Sequence, residues 1–415
     1  MMPYKICHDI NPLQCTECGP AYWIRRLLAV AACCLPLPLP SVAFCAAVLQ
    51  PDTRDATSST DASSGVVFQE RIEYPTGQDP FSVAVDDLNG DGKLDLVTAN
   101  ANGNNVSVLL GKRNGTFRPH VDYPTGSSPL SVQIGDLNRD GVPDLASANP
   151  SADTVSVLIG KGNGIFNAKV DYGTGDDPWA IQIGDVNRDG KPDLVTANVD
   201  GNTVSVLLGR RTGTFRPKVD YPTGGGPLSV QIGDVNRDGI PDLVTANAYV
   251  DSVSVLLGRR NGTFKPMVIY PTGHVPTDVQ IGDVNRDGIP DLVSANSRAT
   301  AGCLASASVL LGRGDGTFQN KIDSDLGVCP SGAVIRIGDV NRDGLPDLVA
   351  GFNGAITLSM LLGKGDGSFE SPVTFGPPGR TNGLVIADIN RDGKPDLVVT
   401  EGQLNAVGVW INVSE

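Results

Sequence analysis

A ten-residue string, D-x-N-x-D-G-x-x-D-L, recurs seven times in this chain and constrains its fold more than any other feature. The copies begin at Asp87, Asp136, Asp185, Asp234, Asp283, Asp339 and Asp388, so neighbouring copies lie 49 residues apart, except for 56 before the sixth. Self-similarity at such a period indicates a repeat architecture, in which each unit buries its apolar surface against its neighbours. We therefore expect one array rather than several unrelated domains.

Each repeat predicts four short strands. The second repeat reads as SVQIGD, DLASAN, VSVLIG and IFNAKVDY, with a tight turn at Asn163-Gly164 before the last strand. Val, Ile and Leu dominate these segments and favour strands, whereas Asn-Gly supplies the positive φ angles of a hairpin turn. Four antiparallel strands in each period of 40–50 residues are typical of propeller blades; an open β-solenoid is the alternative.

The two ends of the array distinguish these architectures. The seventh repeat stops at VGVWINVSE, which is its third strand, and a matching fourth strand stands at the other end as VVFQERIEYPTG. A closed ring uses such an arrangement, because the N-terminal strand completes the last blade and buries both terminal faces. The sequence therefore predicts an all-β fold over residues 66–415: a seven-bladed β-propeller of four-stranded blades, closed by its N-terminal strand.

The repeated loop has the ligand order of a calcium site. Oxygen-bearing side chains fall at positions one, three, five and nine, and glycine at position six permits a sharp reversal that turns the seventh carbonyl inward. No Cys or His is present to suit zinc or copper, and magnesium prefers fewer protein ligands. The loop is not an EF-hand, since its twelfth position never holds Glu and strands flank it.

Up to seven Ca²⁺ ions are predicted, one in each blade. The predicted ligands occupy positions one, three, five, seven (through the carbonyl) and nine of each loop: Asp87, Asn89, Asp91, Lys93, Asp95, Asp136, Asn138, Asp140, Val142, Asp144, Asp185, Asn187, Asp189, Lys191, Asp193, Asp234, Asn236, Asp238, Ile240, Asp242, Asp283, Asn285, Asp287, Ile289, Asp291, Asp339, Asn341, Asp343, Leu345, Asp347, Asp388, Asn390, Asp392, Lys394 and Asp396. The alternative is Asp/Asn turn chemistry without a metal. That alternative leaves three mutually repelling carboxylates in each of seven loops.

The motif, the hairpin after it and the G-x-x-x-G-x-F segment that begins at Gly111 resemble the FG-GAP/VCBS repeat family, whose best-known relative is the head of integrin alpha subunits. The resemblance covers residues 66–415. It implies a propeller with calcium in loops on one face and ligands at the loops of the opposite face. Members serve adhesion or carbohydrate binding, or are modules of secreted enzymes. Since all seven blades carry the motif, the chain looks more like the bacterial extracellular branch than like integrins.

The N-terminal region has a different composition. Arg25 and Arg26 precede an uncharged run over residues 27–49, which contains the helix-breaking LPLPLP stretch and then small residues. We interpret residues 1–49 as an export signal or an N-terminal anchor, and the Ser/Thr/Asp-rich residues 50–65 as a disordered linker. An exported chain favours a disulfide between Cys303 and Cys329, with two free thiols as the alternative.

Strand alternation assigns the loops to two faces. The calcium loops and the turns between strands three and four share one, the loop face, together with basic pairs such as Lys112-Arg113 and Arg210-Arg211. The turns between strands two and three and the crossovers between blades share the opposite face, where exposed aromatic residues suit sugar or peptide contacts. The predicted ligand contacts on this opposite face are Asp79, Asp176, Asp177, Trp179, Tyr249, His274, Phe352, Arg380 and Glu401.

Function is predicted less sharply than fold. The chain holds 32 Lys+Arg against 46 Asp+Glu, a net charge of −14, which argues against nucleic-acid binding and against membrane contact by charge. Familiar catalytic motifs are missing. We predict an exported or cell-surface, monomeric, non-catalytic calcium-stabilised module that binds a glycan or an extracellular protein. The alternatives are a calcium-dependent lyase using Arg336, Arg380 and Glu401, and a scaffold without a ligand.

Overall fold

The computed structural model describes residues 65–298, 305–328, 330–355, 357–376 and 380–415. The predicted signal or anchor and all of the predicted linker except Gly65 lie outside these ranges. Cys303 and Cys329 also lie outside them, so the disulfide stays a prediction. Within the described residues, no helix has the length and apolar character that a membrane span needs.

Seven four-stranded antiparallel sheets make up the fold, and the first five are continuous in the chain. Blade 1 contains β2 (Pro80–Asp86), β3 (Asp95–Asn100), β4 (Asn105–Leu109) and β5 (Val121–Pro124). Blade 2 contains β6 (Ser131–Gly135), β7 (Asp144–Asn149), β8 (Thr154–Leu158) and β9 (Val170–Gly173). Blade 3 contains β10 (Pro178–Gly184), β11 (Asp193–Asn198), β12 (Thr203–Leu207) and β13 (Val219–Pro222). Blade 4 contains β14 (Pro227–Gly233), β15 (Asp242–Asn247), β16 (Ser252–Leu256) and β17 (Val268–Pro271). Blade 5 contains β18 (His274–Gly282), β19 (Asp291–Arg298), β20 (Ser306–Leu310) and β21 (Ile322–Asp325).

The last two blades differ in how they are assembled. Blade 6 contains β22 (Gly332–Gly338), β23 (Asp347–Asn353), β24 (Leu358–Leu361) and β25 (Val373–Phe375). Blade 7 contains β26 (Leu384–Ala387), β27 (Asp396–Glu401) and β28 (Ala406–Trp410), and its fourth strand is β1 (Ile72–Pro75), at the start of the fold. The first strand of each blade contacts the first strand of the next, and β26 contacts β2. The chain is thus a closed seven-bladed propeller, as predicted.

The first and last segments of the propeller pair along the last blade. Ile72 lies opposite Val409 in the β1–β28 pair. Beyond it, the N–H of Gln69 donates to the carbonyl of Ile411 at 2.9 Å, and the N–H of Val413 donates to the carbonyl of Val67 at 2.8 Å. Phe68 also stacks on Phe375 of blade 6, with ring centroids 5.5 Å apart. The N-terminal strand therefore joins the last blade to its neighbour, as the truncated seventh repeat indicated.

Apolar side chains from adjacent blades form the core, one cluster at each interface. Between blades 1 and 2, for example, Val97 and Val106 pack against Val132 and Leu145, and all four are fully or almost fully buried. An aromatic pair seals the outer part of several interfaces: the fourth-strand Tyr of one blade meets a Phe of the next edge-to-face. These pairs are Tyr74–Phe117, Tyr123–Phe166, Tyr172–Phe215, Tyr221–Phe264 and Tyr270–Phe318. The recurring Tyr and Phe of the repeats are therefore structural.

A buried hydrogen-bond network holds each of the first five crossovers. In blade 1, Asn100 is fully buried; its amide donates to Ser107 Oγ at 2.8 Å, and its Oδ1 accepts from Thr98 at 2.9 Å. Ser107 Oγ also accepts the N–H of Gly77 at 2.8 Å, which fixes the crossover that enters blade 1. Corresponding buried asparagines occupy the sixth position of the second strands of blades 2 to 5: Asn149, Asn198, Asn247 and Asn296.

Candidate metal centre

The seven motif loops all connect the first strand of a blade to the second. The first strands run in the same direction around the ring, so the loops lie together on the loop face, beside the turns between strands three and four. Each loop begins at the residue directly after the first strand, and its ninth residue opens the second strand, as Asp95 opens β3. Seven equivalent sites thus lie on one side of the molecule.

Hydrogen bonds within the loop wind it around its first carboxylate. In blade 1, Asp87 Oδ1 accepts the N–H of Asp91 at 3.1 Å, and Oδ2 accepts the N–H of Gly92 at 2.7 Å. Gly92 has φ of +80°, a conformation that side-chain-bearing residues rarely adopt. Asn89 Oδ1 also accepts the N–H of Asp91, at 2.9 Å. The predicted glycine turn therefore exists and draws the oxygens of the first three ligand positions into one short coil.

The ninth-position aspartate is the buried anchor of each loop. Asp95 is fully buried; Oδ2 accepts the N–H of Leu88 at 3.0 Å and Oδ1 the N–H of Gly111 at 2.6 Å. It therefore ties the loop to the adjacent hairpin. Burial, with smaller contributions from the nearby carboxylates of Asp91 and Asp87, raises the pKa of Asp95 to about 6 against these hydrogen bonds. An ionised carboxyl group in this place is costly unless a cation lies beside it.

The other six loops repeat this anchor. Burial raises the pKa to about 6 for Asp144, Asp193, Asp242, Asp347 and Asp396, and in the same direction for Asp291. In blade 7, the N–H of Asn412 takes the role of the hairpin glycine and donates to Asp396 Oδ1 at 2.7 Å. All seven loops thus have the same buried aspartate anchor.

The donor chemistry of the loops suits a hard cation such as Ca²⁺, because all predicted ligand atoms are oxygens. In the sixth loop, the buried Oδ1 of Asp339 has no hydrogen-bond partner among the described residues. The described residues contain no group of three or more His, Cys, Asp or Glu side chains already arranged to hold a metal. The residues fit calcium in kind and order, and their convergence on an ion stays a prediction.

Lysine modifies two of the loops. The ammonium of Lys93 lies 2.6 Å from Asp91 Oδ2, and that of Lys191 lies 2.7 Å from Asp189 Oδ2. Hydrogen bonding to Lys93 holds the pKa of Asp91 below its usual value. The seventh residue was predicted to act only through its carbonyl. In these two loops its side chain also neutralises the fifth-position carboxylate, so an incoming cation competes with an ammonium there.

Arginine occupies the fourth position in six loops, a feature that we did not predict. These residues all have left-handed backbone with φ between +57° and +64°: Arg139, Arg188, Arg237, Arg286, Arg342 and Arg391. Gly90 stands there in the first loop. Arg188 extends to the next loop, where a methyl group added to Gly239 would lie 3.0 Å from its Nη1. The recurrence of N-R-D-G was the available signal, since arginine has no intrinsic preference for this backbone.

Comparison with known proteins identifies the repeat. The sequence profile of the FG-GAP-like repeat matches residues 87–147, 136–196, 185–245, 234–294 and 339–399, which together span more than half of the chain. The chain belongs to the FG-GAP-like repeat family. Among curated protein sequences, none matches it significantly.

Two solved structures support the fold of this FG-GAP-like propeller. BBS1N, crystallised in complex with ARL6DN, is 12% identical, with a TM-score of 0.58; the match covers 83% of this chain and 96% of BBS1N. A functionally unknown protein from Desulfotomaculum acetoxidans DSM 771 is 13% identical, with a TM-score of 0.54, over 80% of this chain and 96% of that protein. At such low identity, the likeness concerns architecture alone.

On the opposite face of the FG-GAP-like propeller, the structure brings three of the predicted contacts near one another. Trp179, at the start of β10, and Tyr249, in the following blade, are half-buried and flank an apolar cluster of Val199, Leu228 and Ala248. His274 is 43% exposed, and its Nδ1 lies 2.7 Å from Asp251 Oδ2. The acidic candidates Asp79, Asp176 and Asp177 lie in the crossovers of this same face.

Two predicted ligand contacts were wrong, because the side chains are completely buried. Phe352 packs between blades 5 and 6 against Leu326 and Ala333, where it replaces the buried asparagine of earlier blades. Glu401 replaces the same asparagine in blade 7, and its Oε1 pairs with Nη1 of Arg71 beside the N-terminal strand. Both substitutions had been interpreted as surface variation. A substitution at a buried position interrupts the repeat pattern in the same way as a substitution on the surface.

The residues considered for a lyase do not form a common site. Arg336 Nη1 lies 2.8 Å from Asp278 Oδ2, across the interface between blades 5 and 6. Arg380 Nε donates to Asn353 Oδ1 at 2.8 Å. Glu401 pairs with Arg71 in the interior of blade 7. Each charged group thus has its own structural partner, and the buried Glu401 is not placed to act as a base on a surface ligand.

Proposed function

We propose that this chain is an exported, non-catalytic, calcium-stabilised binding module that recognises an extracellular ligand, a glycan or a protein, through the face opposite its metal loops. One observation carries the calcium part of the proposal. Seven buried aspartates, six with a pKa raised to about 6, each end a loop of oxygen donors. At neutral pH a bound cation would remove the cost of that buried charge.

Different residues of each loop would supply the outer and the inner ligands of the ion. In blade 1, Asp87, Asn89 and Asp91 with the Lys93 carbonyl would supply the outer ligands, and Asp95 would supply the inner one. Because Asp95 also accepts the N–H of Gly111 at 2.6 Å, an ion held there would stiffen both turns of the blade end. Calcium supplies two positive charges per loop, and seven ions would cancel the net charge of −14. The loops therefore support a rigid scaffold for the opposite face.

Calcium titration of the EDTA-treated protein tests this proposal. We expect calorimetry to detect several sites, up to seven, and the melting temperature to rise with calcium. An ion at ten times its Kd adds about 1.4 kcal/mol per site to the free energy of unfolding. Asp193→Ala should remove one site. Asp366→Asn changes an exposed carboxylate in the turn between the third and fourth strands of blade 6 and should remove none. Identical melting curves in EDTA and calcium would refute the proposal.

Export is proposed from the N-terminal segment, whose charged start, apolar run and small residues are typical of a signal. The absence of catalysis is proposed because Arg336, Arg380 and Glu401 are engaged with separate partners. Export is tested by expressing the full chain with a C-terminal tag in a secreting host and sequencing the N-terminus of the secreted product. Recovery only inside the cell, with Met1 retained, would contradict it.

A further inference from the structure

Five apolar residues form a surface cluster on the opposite face, here called the aromatic patch: Phe81, Trp179, Leu228, Tyr249 and Val275. Trp179 meets Phe81 edge-to-face, with ring centroids 6.0 Å apart. Phe81 belongs to the first strand of blade 1 and Trp179 to the first strand of blade 3, so side chains of two non-adjacent blades meet here. The patch therefore extends over several blades of the opposite face. Apart from Leu228, which is 8% exposed, its residues keep part of their surface in solvent.

Two departures from the repeat pattern place Tyr249 in the patch. Blade 4 has Tyr249 and Val250 in the turn between its second and third strands, where blade 3 has Asp200 and Gly201. The crossover that enters blade 4 reads Gly224-Gly225-Gly226, and a methyl group on Gly226 would lie 2.6 Å from the Tyr249 ring. The glycine lets the ring lie against the crossover backbone. The two departures are therefore matched, and together they place an aromatic ring in this turn of blade 4.

Backbone strain marks the neighbouring crossover. Val275 has φ of +52°, an outlier for a β-branched residue. The equivalent positions hold Asp79, Ser128, Asp177 and Gly226, which tolerate this region better. A hydrogen bond from the N–H of Val275 to Asp251 Oδ1, at 2.8 Å, holds the strained residue in place. An apolar side chain is thus kept at the patch in a conformation that a polar residue or glycine would adopt more easily.

The surroundings of the patch are acidic. The crossovers and turns of blades 3 and 4 on this face carry Asp176, Asp177, Asp200 and Asp251, and the same segments contain no Lys or Arg. Asp176 and Asp200 are exposed. His274, in the next crossover, pairs with Asp251, and its partner in the β18–β19 register is Arg298. An anionic rim around aromatic rings attracts cations, which also interact favourably with the faces of Trp and Tyr.

We propose that the aromatic patch docks a basic, apolar segment of a partner protein, with apolar side chains on Trp179 and Tyr249 and Lys or Arg side chains toward the acidic rim. This inference rests on the proposed binding function and narrows its ligand to a protein segment. The sign of the charge disfavours an acidic polysaccharide at this place. Half-exposed Trp and Tyr at the centre of a polar rim have the anatomy of an interaction hot spot.

Calorimetry with an eight-residue peptide of alternating lysine and leucine tests the proposal, at 0.15 M NaCl with calcium present. We expect binding to the full-length chain, and a Kd at least tenfold weaker in Trp179→Ala and Tyr249→Ala. Asp176→Asn should weaken binding a few-fold. Asp366→Asn makes the same charge change on the loop face and should leave the Kd unchanged. Tyr249 is a surface residue, so its variant stays informative if Trp179→Ala is unstable.

Three results would overturn the proposal: no binding at 1 mM peptide, equal binding of a glutamate–leucine peptide, or affinity unchanged in both aromatic variants. Cellohexaose serves as the neutral glycan probe. If it binds, and Trp179→Ala abolishes that binding, the patch recognises sugar rather than protein. The melting shift with calcium is measured on the same samples, so a failed peptide assay with an intact shift rejects this inference alone.

Discussion

The buried pair between Arg71 and Glu401 allows a quantitative test of ring closure. Glu401 lies at the end of β27 and is fully buried, while Arg71 lies just before the N-terminal strand β1. Oε1 of Glu401 pairs with Arg71, and its Oε2 has no hydrogen-bond partner. Replacing Arg71 with Met would keep an unbranched apolar side chain but remove the guanidinium group, whose carbon lies 5.9 Å from the Trp410 ring centroid, and so leave a buried carboxylate without its cation.

We expect Arg71→Met to lower the free energy of unfolding by about 3–5 kcal/mol at pH 7.5, the usual cost of breaking a buried ion pair. A Coulomb energy of about 4 kcal/mol, for unit charges 4 Å apart at an effective dielectric constant near 20, gives the same magnitude. Lys218 stands at the position of Arg71 in blade 3, and Lys218→Met removes the cation from its surface pair with Asp220. Lys218 and Asp220 are both partly exposed, so that loss should stay below about 1 kcal/mol.

The loss should also depend on pH. Burial raises the pKa of Glu401, and Arg71 opposes that rise, so the variant raises the folded-state pKa further above the ordinary value of 4.5. At pH values between the ordinary pKa and the raised folded-state pKa, the folded protein binds more protons than the unfolded chain. Its stability therefore falls as the pH rises through this range. Arg71→Met should therefore be less harmful at pH 5 than at pH 7.5. Chemical denaturation at both pH values measures this, and an equal or larger loss at pH 5 would refute the reasoning. The double variant with Glu401→Gln should recover most of the loss.

Three further predictions concern the loops and the blade interfaces. In EDTA, the raised pKa of the ninth-position aspartates should make the protein less stable at pH 7.5 than at pH 5, by about 1–2 kcal/mol per loop; thermal melts that show the reverse order would contradict this. Gly383→Ala places a methyl group 2.9 Å from the backbone of Ser82 and should cost about 1–3 kcal/mol, whereas Gly173→Ala meets nothing within 4 Å and should be near neutral in the same denaturant titration. Phe166→Ala removes a buried ring and its contact with Tyr123, so we expect its denaturation midpoint to fall by the equivalent of about 3–5 kcal/mol; a loss below 1 kcal/mol would argue against the interface described.

The repeat sequence was sufficient to predict the architecture. A period of 49 residues, four apolar segments per period and a displaced final strand predicted seven four-stranded blades and their closure, and all of these were confirmed. The prediction succeeded because its signals are local and repeated seven times. Strand alternation, Asn-Gly turns and the glycine of each loop depend on the chemistry of neighbouring residues, so they need no knowledge of distant contacts.

The candidate site was predictable only in part, for the same reason. The loop chemistry lies within nine residues and could be interpreted directly, although the arginine at the fourth position was overlooked. Whether a residue that departs from the repeat pattern is buried or exposed depends on partners that are distant in the sequence. The sequence predicted Phe352 and Glu401 as ligand contacts, but blade packing and the returning N-terminal strand bury them.

The sequence by itself determined the blades, their number and the oxygen-rich loops, because each unit carries its own strand, turn and ligand pattern. Tertiary structure alone decided which irregular side chains are structural and which face solvent. Closure of the ring brings Phe81 of blade 1 against Trp179 of blade 3, and it buries Glu401 against Arg71. Such contacts join residues that share no local pattern. Only the ring geometry determines whether side chains of two non-adjacent blades meet or an end strand covers a charge.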